Sequence, residues 1–121
     1  MKQEAVLKLL DELLILDDVF ACMVAKKGLE GIVPKKIKIN DIDLWRLIRQ
    51  TTDQMFILID RFYDYGFDRL YFKLGEYTVI IAPVSRTFSL LVLVRPLANI
   101  GLLDIEVENI KRKIKTLAEI K

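Results

Sequence analysis

The helical spacing of apolar residues over Asn40–Asp64 is the most informative pattern in the chain. At about 100° per residue, one side of the predicted helix has the spacing of a core-facing stripe: Leu44, Ile48, Met55, Ile59 and Phe62. An adjacent stripe has nearly the spacing of a coiled-coil seam: Trp45, Thr52, Phe56 and Tyr63. A helix that covers one sheet needs only one apolar side. The second stripe therefore indicates either a contact with a second copy of the chain or the margin of a wide core.

Three neighbouring features bear on such a contact. Leu47 and Leu58, on the other flank of the helix, form a competing seam. In the predicted strand Arg69–Leu74, Leu70 and Phe72 can help to seal a paired sheet edge, although charges on the same strand also suit an unpaired edge. The remaining side of the helix is charged and predicts either a solvated face or a partner-binding surface; its candidate residues are Arg46, Arg49, Asp53 and Asp60.

The rest of the chain predicts two amphipathic helices and four further strands. The helices are residues 2–16 and Leu102–Ile120, and the strands are 19–25, 29–33, 77–82 and 88–94. Strands 19–25 and 88–94 are apolar on both faces, so helices must cover both sides of the sheet. The predicted fold is a single α+β domain over residues 1–121 with three layers and the order α-β-β-α-β-β-β-α. Asn40–Asp64, the longest predicted helix, covers one face of a five-stranded antiparallel sheet, and the terminal helices cover the other.

Composition removes several classes of function. The chain has no histidine and one cysteine, so the commonest general base and metal ligand are missing and no internal disulfide can form. We therefore predict no enzyme, no catalytic residues, no cofactor and no metal. The balance of 19 basic and 17 acidic residues argues against nucleic acid as a partner. No stretch approaches the roughly 20 apolar residues of a spanning helix, so we expect no membrane insertion and a cytoplasmic location.

Two short motifs resemble those of a known family. Val24-Ala25-Lys26-Lys27-Gly28-Leu29-Glu30-Gly31 is similar to the first hairpin of the roadblock family, the relatives of the dynein light chain. Ala98-Asn99-Ile100-Gly101-Leu102-Leu103 is similar to that family's approach to its last helix. With the element order, the resemblance covers nearly the whole chain. It implies a profilin-like or longin-like fold and a homodimer in which the middle helices pack together and the following strands pair across the twofold axis.

The resemblance also implies a function, because prokaryotic roadblock proteins typically accompany small Ras-like GTPases as regulators or scaffolds. We expect a cytoplasmic homodimer without enzymatic activity that binds and regulates or scaffolds such a GTPase. Two alternatives are a small-ligand sensor of the PAS-like kind, which requires an apolar cavity with inward polar groups, and a purely structural assembly or adaptor subunit. The segment Gly31–Asn40 is rich in lysine and varies in the family, so the resemblance assigns it no partner contact.

Overall fold

A computed structural model describes residues 3–119. The order of its elements matches the sequence prediction except that the middle helix is divided in two and is followed by a short 3₁₀ turn, Tyr63–Tyr65. The elements are α1 (Gln3–Leu14), β1 (Val19–Lys26), β2 (Leu29–Ile32), α2 (Ile42–Gln50), α3 (Thr52–Phe62), β3 (Leu70–Leu74), β4 (Tyr77–Pro83), β5 (Phe88–Val94) and α4 (Ile100–Glu119).

The five strands form one antiparallel sheet in the order β2-β1-β5-β4-β3. The edge strands of the sheet are therefore β2 and β3, while β1, β5 and β4 are each paired on both sides. Each of those three inner strands is buried over nearly its whole length. The predicted fold class is confirmed.

Side chains of the inner strands alternate between two separate cores, because successive residues of a strand point to opposite faces. Cys22, Ile80 and Val92 pack on one face under α1 and α4. Their neighbours Met23 and Ile81 pack on the other face under α2 and α3. The predicted assignment of the middle helix to one face and the terminal helices to the other is correct.

The single helix predicted over Asn40–Asp64 is divided into α2 and α3 at Thr51, and α4, with 20 residues, is the longest helix among the described residues. The hydroxyl of Thr51 donates to the carbonyl of Ile48 at 2.8 Å, and that of Thr52 donates to the carbonyl of Arg49 at 3.1 Å. Such back-bonding by threonine competes with the regular helical bonds and bends a helix. Asp41, rather than Asn40, caps α2, since its carboxylate accepts the N–H of Leu44 at 3.0 Å.

Candidate protein-interaction surface

An apolar strip runs along one flank of α2 and α3 without being covered by the rest of the chain. Its members recur at spacings of three and four, the pattern of one side of a continuous helical surface: Leu44, Leu47, Thr51, Met55, Leu58 and Phe62. We call these six residues the α2–α3 flank. Leu47 is 57% exposed and Phe62 is 46% exposed, and the other members are half-buried. Adjacent exposed apolar side chains of this kind mark interaction surfaces more often than isolated ones do.

The structure corrects the predicted position of the dimer seam at two residues. Trp45 and Phe56 are each only 1% exposed, because they point into the core between α2–α3 and the sheet. Side chains with so little exposed surface can bury almost no further apolar area against a second copy of the chain. For these two residues, the alternative prediction of a wide core margin is the correct one.

The other two members of the predicted seam, Thr52 and Tyr63, are half-buried at the surface. Tyr63 already has a partner in its own chain, since the guanidinium of Arg86 lies 5.0 Å from the centre of its ring. Arg86 also donates to the carboxylates of Asp60 and Asp64 at 3.0 and 2.6 Å. The structure therefore separates the four predicted residues into two core residues and two residues on the core's rim.

The segment that leads into β3 lies next to the C-terminal end of the α2–α3 flank. Leu70 and Phe72 are half-buried against the core under α2 and α3, together with Leu44 and Met55 of the flank. Phe62 stacks on Phe67, at the entry to β3, with their ring centres 6.4 Å apart. Within residues 3–119 no strand pairs with the outer side of β3. A free strand edge beside an exposed apolar flank gives one continuous candidate interface.

The opposite face of β3 is held to α4 by a network of ion pairs. Arg69 donates to Asp104 at 3.1 Å and to Glu108 at 2.8 Å, and the hydroxyl of Tyr71 donates to Asp104. Burial alone would raise the pKa of Glu108, but the hydrogen bond from Arg69 and the charge of Lys111 outweigh it and hold this pKa below its ordinary value. The network therefore fixes the position of the β3 edge relative to the rest of the fold.

Replacing Arg69 by methionine is expected to lower the free energy of unfolding by about 1–2 kcal/mol near neutral pH, because Glu108 and Asp104 lose a partly buried partner. The pKa of Glu108 is lower in the folded protein than in the unfolded chain, where it is about 4.3, so ionised Glu108 stabilises the fold at pH values above about 4.3. This stabilisation is lost as the pH falls through the pKa of the folded protein. Urea denaturation near pH 7 and near pH 3 measures both effects. The pH-dependent part should shrink in Arg69→Met.

Arg112→Met is the matched control, since Arg112 also donates to Glu108, at 3.1 Å, but is 74% exposed. Its loss of stability should stay within about 0.5 kcal/mol. Equal losses in the two variants would contradict the role given to Arg69.

The predicted partner-binding residues Arg46, Arg49, Asp53 and Asp60 are all exposed, but they do not form one compact cluster. Arg46 and Arg49 line a groove beside β2, on the side of α2 away from the α2–α3 flank. Asp60 is at the other end of the two helices and contacts Arg86. Arg46 contacts Asp43 at 3.2 Å in an exposed pair, which contributes little to stability.

Cys22 is the strongest candidate for chemistry that the sequence contains, and its surroundings do not activate it. Its side chain is fully buried, and burial raises the pKa of its thiol to about 12. A thiol held in this way is a poor nucleophile at neutral pH. In the part of the chain that the structure describes, no three metal-ligating side chains come together, and no helix is long and apolar enough to span a membrane.

The sequence pattern gives too little weight to the α2–α3 flank. It marks Leu47 and Leu58 as a competing seam and places Leu44, Met55 and Phe62 on the core-facing stripe. Leu44 and Met55 do pack against the core, but Phe62 is 46% exposed. The available signal was the run of three- and four-residue spacings through Thr51, which connects all six residues. The bulk and apolar character of Trp45 and Phe56 favoured the wrong side of the helix, because such residues are equally common in cores and at interfaces.

Solved structures with a similar fold are known. The chain is similar to MglB of Myxococcus xanthus, with 13% sequence identity, a TM-score of 0.74 and coverage of 98% of this chain and 90% of that one. It is similar to a Roadblock/LC7 domain of Streptomyces avermitilis, with 14% identity, a TM-score of 0.69 and coverage of 93% and 96%. A third is described as MglB with tetrameric arrangement, with 14% identity, a TM-score of 0.68 and coverage of 97% and 90%.

No family model and no curated protein matches the chain by sequence. The structural likeness nevertheless spans nearly the whole of each compared chain. The protein thus has the fold of the Roadblock/LC7 domains, and the resemblance that the two sequence motifs indicated is confirmed at the level of the fold.

Proposed function

We propose that this protein is a homodimer without enzymatic activity that binds and regulates or scaffolds a small Ras-like GTPase. The observation that carries the proposal is the exposed α2–α3 flank beside the free edge of β3. Two copies related by a twofold axis would cover both features at once. The flanks would pack against each other, and the two β3 strands would pair into one continuous sheet.

Self-association is supported by physical and comparative observations. Leu47 and Phe62 expose about half of their apolar surface to water, and burying such surface contributes about 25 cal/mol per Å². The unpaired amides of β3 would gain partners in the same step. One similar MglB structure is described by its tetrameric arrangement, which is a property of that protein and agrees with self-association here.

Two observations support a GTPase as the partner: the chain is similar to MglB, and prokaryotic roadblock proteins typically accompany small Ras-like GTPases. In the dimer the charged residues of α2 and α3 would be repeated on one surface, including Arg49 and Asp53. Such a surface would act by binding one conformation of the GTPase's switch regions more tightly than the other. The dimer would shift the population of GTPase conformations and would supply no catalytic group.

Titration of this protein into each purified small Ras-like GTPase of its source organism tests the proposal. For one of them we expect binding together with a change of about 5- to 150-fold in nucleotide affinity, the usual range for coupled sites. Calorimetry measures the binding, and release of a fluorescent guanine nucleotide measures the coupling. The double variant Arg49→Glu with Asp53→Lys should weaken both effects.

The matched control is Lys115→Glu with Glu106→Lys, a pair of charge reversals at exposed positions on α4. It should bind the GTPase as the unmodified protein does. If no GTPase binds, or if binding leaves nucleotide affinity and hydrolysis unchanged, the regulatory role is wrong.

A further inference from the structure

The outer edge of β2, at the end of the sheet opposite β3, is a second free strand edge. Among residues 3–119 no strand pairs with it, and Leu29 on this strand is 73% exposed. An unpaired edge presents N–H and C=O groups to which an extended peptide can add as a further strand. Pro34, which has no N–H to donate, limits such pairing to the few residues that precede it.

Two grooves lie beside this edge, one against β2 itself and one against the segment that follows it. The first, of about 730 Å³, lies between β2 and α2, and the second, of about 770 Å³, lies between α1 and residues 33–38. Gln3 and Val33 line both grooves, so the two grooves are neighbours at these residues. The second has an apolar floor that includes Leu7, Leu14 and Ile37. A bound strand would therefore find room for its side chains on both faces.

The two grooves have a strong excess of positive charge. Two acidic residues line them, Asp11 and Glu30, against six basic ones: Lys26, Lys35, Lys36, Lys38, Arg46 and Arg49. Over the whole chain basic residues exceed acidic ones by only 2, so the excess is concentrated here. Lys26, Lys35, Lys36 and Arg49 form no salt bridge with any of the described residues. Their charges are available to a ligand.

The position of β2 depends on a close approach at Gly31. A Cβ atom at this position would lie 2.5 Å from the Cε of Met23 and 2.7 Å from the carbonyl oxygen of Val24. These distances are too short for any side chain, so only glycine lets β2 lie this close to β1. The pairing of β1 with β2 also shifts register between Val24 and Lys26, and such irregularities recur at sheet edges and beside binding sites.

We propose that the outer edge of β2 binds an extended acidic peptide segment of a partner protein by strand addition. The peptide backbone pairs with β2, its side chains enter both grooves, and its carboxylates meet Arg49 in the first groove and Lys35 and Lys36 in the second. The lysines also repel the same edge of a second copy, so they select against self-pairing and favour an acidic strand. The site lies at the opposite end of the sheet from the proposed dimer interface and does not depend on it.

The composition of the grooves favours a peptide over other polyanions. Neither groove is lined by an aromatic residue, whereas binding of single-stranded nucleic acid relies on stacking of bases on aromatic side chains. The positive charges surround a groove with an apolar floor and a strand edge, which suits a narrow ligand with alternating apolar and acidic side chains.

A short synthetic peptide with alternating valine and glutamate, carrying a fluorophore, tests the proposal against the full chain. We expect it to bind at least about tenfold more tightly than its valine–lysine counterpart, with amide shifts in ¹⁵N spectra centred on residues 29–33. Methylation of alternate backbone nitrogens in the peptide should abolish binding, because strand addition needs those N–H groups. The variant Lys35→Glu with Lys36→Glu should weaken binding by at least about tenfold.

The control variant Lys113→Glu with Lys115→Glu makes the same change of charge on exposed positions of α4 and should keep the affinity. Equal binding of the methylated peptide, or of the lysine counterpart, would overturn strand addition at this edge. Anionic phospholipid vesicles or single-stranded DNA binding at residues 29–38, while the acidic peptide does not bind, would also overturn the proposal. The variant Lys35→Glu with Lys36→Glu should keep its affinity for the GTPase, because neither lysine belongs to the proposed GTPase surface, and this result separates the two sites.

Discussion

Replacement of Trp45 by alanine is expected to lower the free energy of unfolding by about 3–5 kcal/mol. The indole is 1% exposed and packs in the core between the sheet and α2–α3, so its removal leaves a cavity that the surrounding strands cannot close. Phe56→Ala should have a loss of the same size, since its ring fills the same layer. Urea denaturation followed by circular dichroism measures both losses.

Ile57→Ala is the control for these two variants, because Ile57 is on α3 but is 59% exposed and outside the α2–α3 flank. Its loss should stay within about 0.5 kcal/mol. If Trp45→Ala unfolds at the same urea concentration as Ile57→Ala but dissociates a dimer, then Trp45 is at the dimer seam as the sequence pattern suggested, and the burial described above does not hold in solution.

The double variant Leu47→Glu with Leu58→Glu is expected to convert a dimer into a monomer while leaving the fold intact. Dimerisation would place both carboxylates in an apolar contact with no partner, and this should raise the dissociation constant by about a hundredfold or more. Light scattering and sedimentation equilibrium over a range of concentrations measure the change. The circular dichroism spectrum should not change, because both positions are at the surface of the single chain.

The control is Ile57→Glu with Leu102→Glu, which introduces the same two charges at exposed apolar positions away from the α2–α3 flank. This variant should remain dimeric. A monomeric unmodified protein, or equal dissociation of the two double variants, would contradict the proposed interface.

The fold could be predicted almost completely from the sequence because its signals are local. Alternation in Arg69–Leu74, continuous apolar runs in β1 and β5, and the turn glycines Gly28 and Gly75 define strands, hairpins and the two-sided burial of the sheet. Both of these glycines have positive φ, as tight hairpin turns require. The break at Thr51 has no clear signal in the sequence, because two adjacent threonines are compatible with a helix, and only their back-bonding shows that the helix divides there.

The candidate site could be predicted only in part. The sequence correctly indicated that the middle helices have more apolar surface than one sheet covers, and it identified Leu47 and Leu58 as one of two possible seams. It could not choose between the seams, because the stripe with Trp45 and the stripe with Leu47 flank the core-facing stripe on opposite sides at similar angles. The sequence also does not predict the network of Arg69 with Asp104 and Glu108, because these ion pairs join residues that are 35 and 39 positions apart.

By itself, the sequence determined the element order, the antiparallel sheet covered on both faces, and the absence of histidine. These properties follow from periodicity and composition, which act over a few neighbouring residues. Only the tertiary structure decided which flank of α2 and α3 is buried, that β2 and β3 are the two free edges, and that unpaired lysines and arginines surround one of them. Those properties depend on how the helices rotate as they pack on the sheet and on contacts between distant segments, for which a pattern along the chain carries no signal.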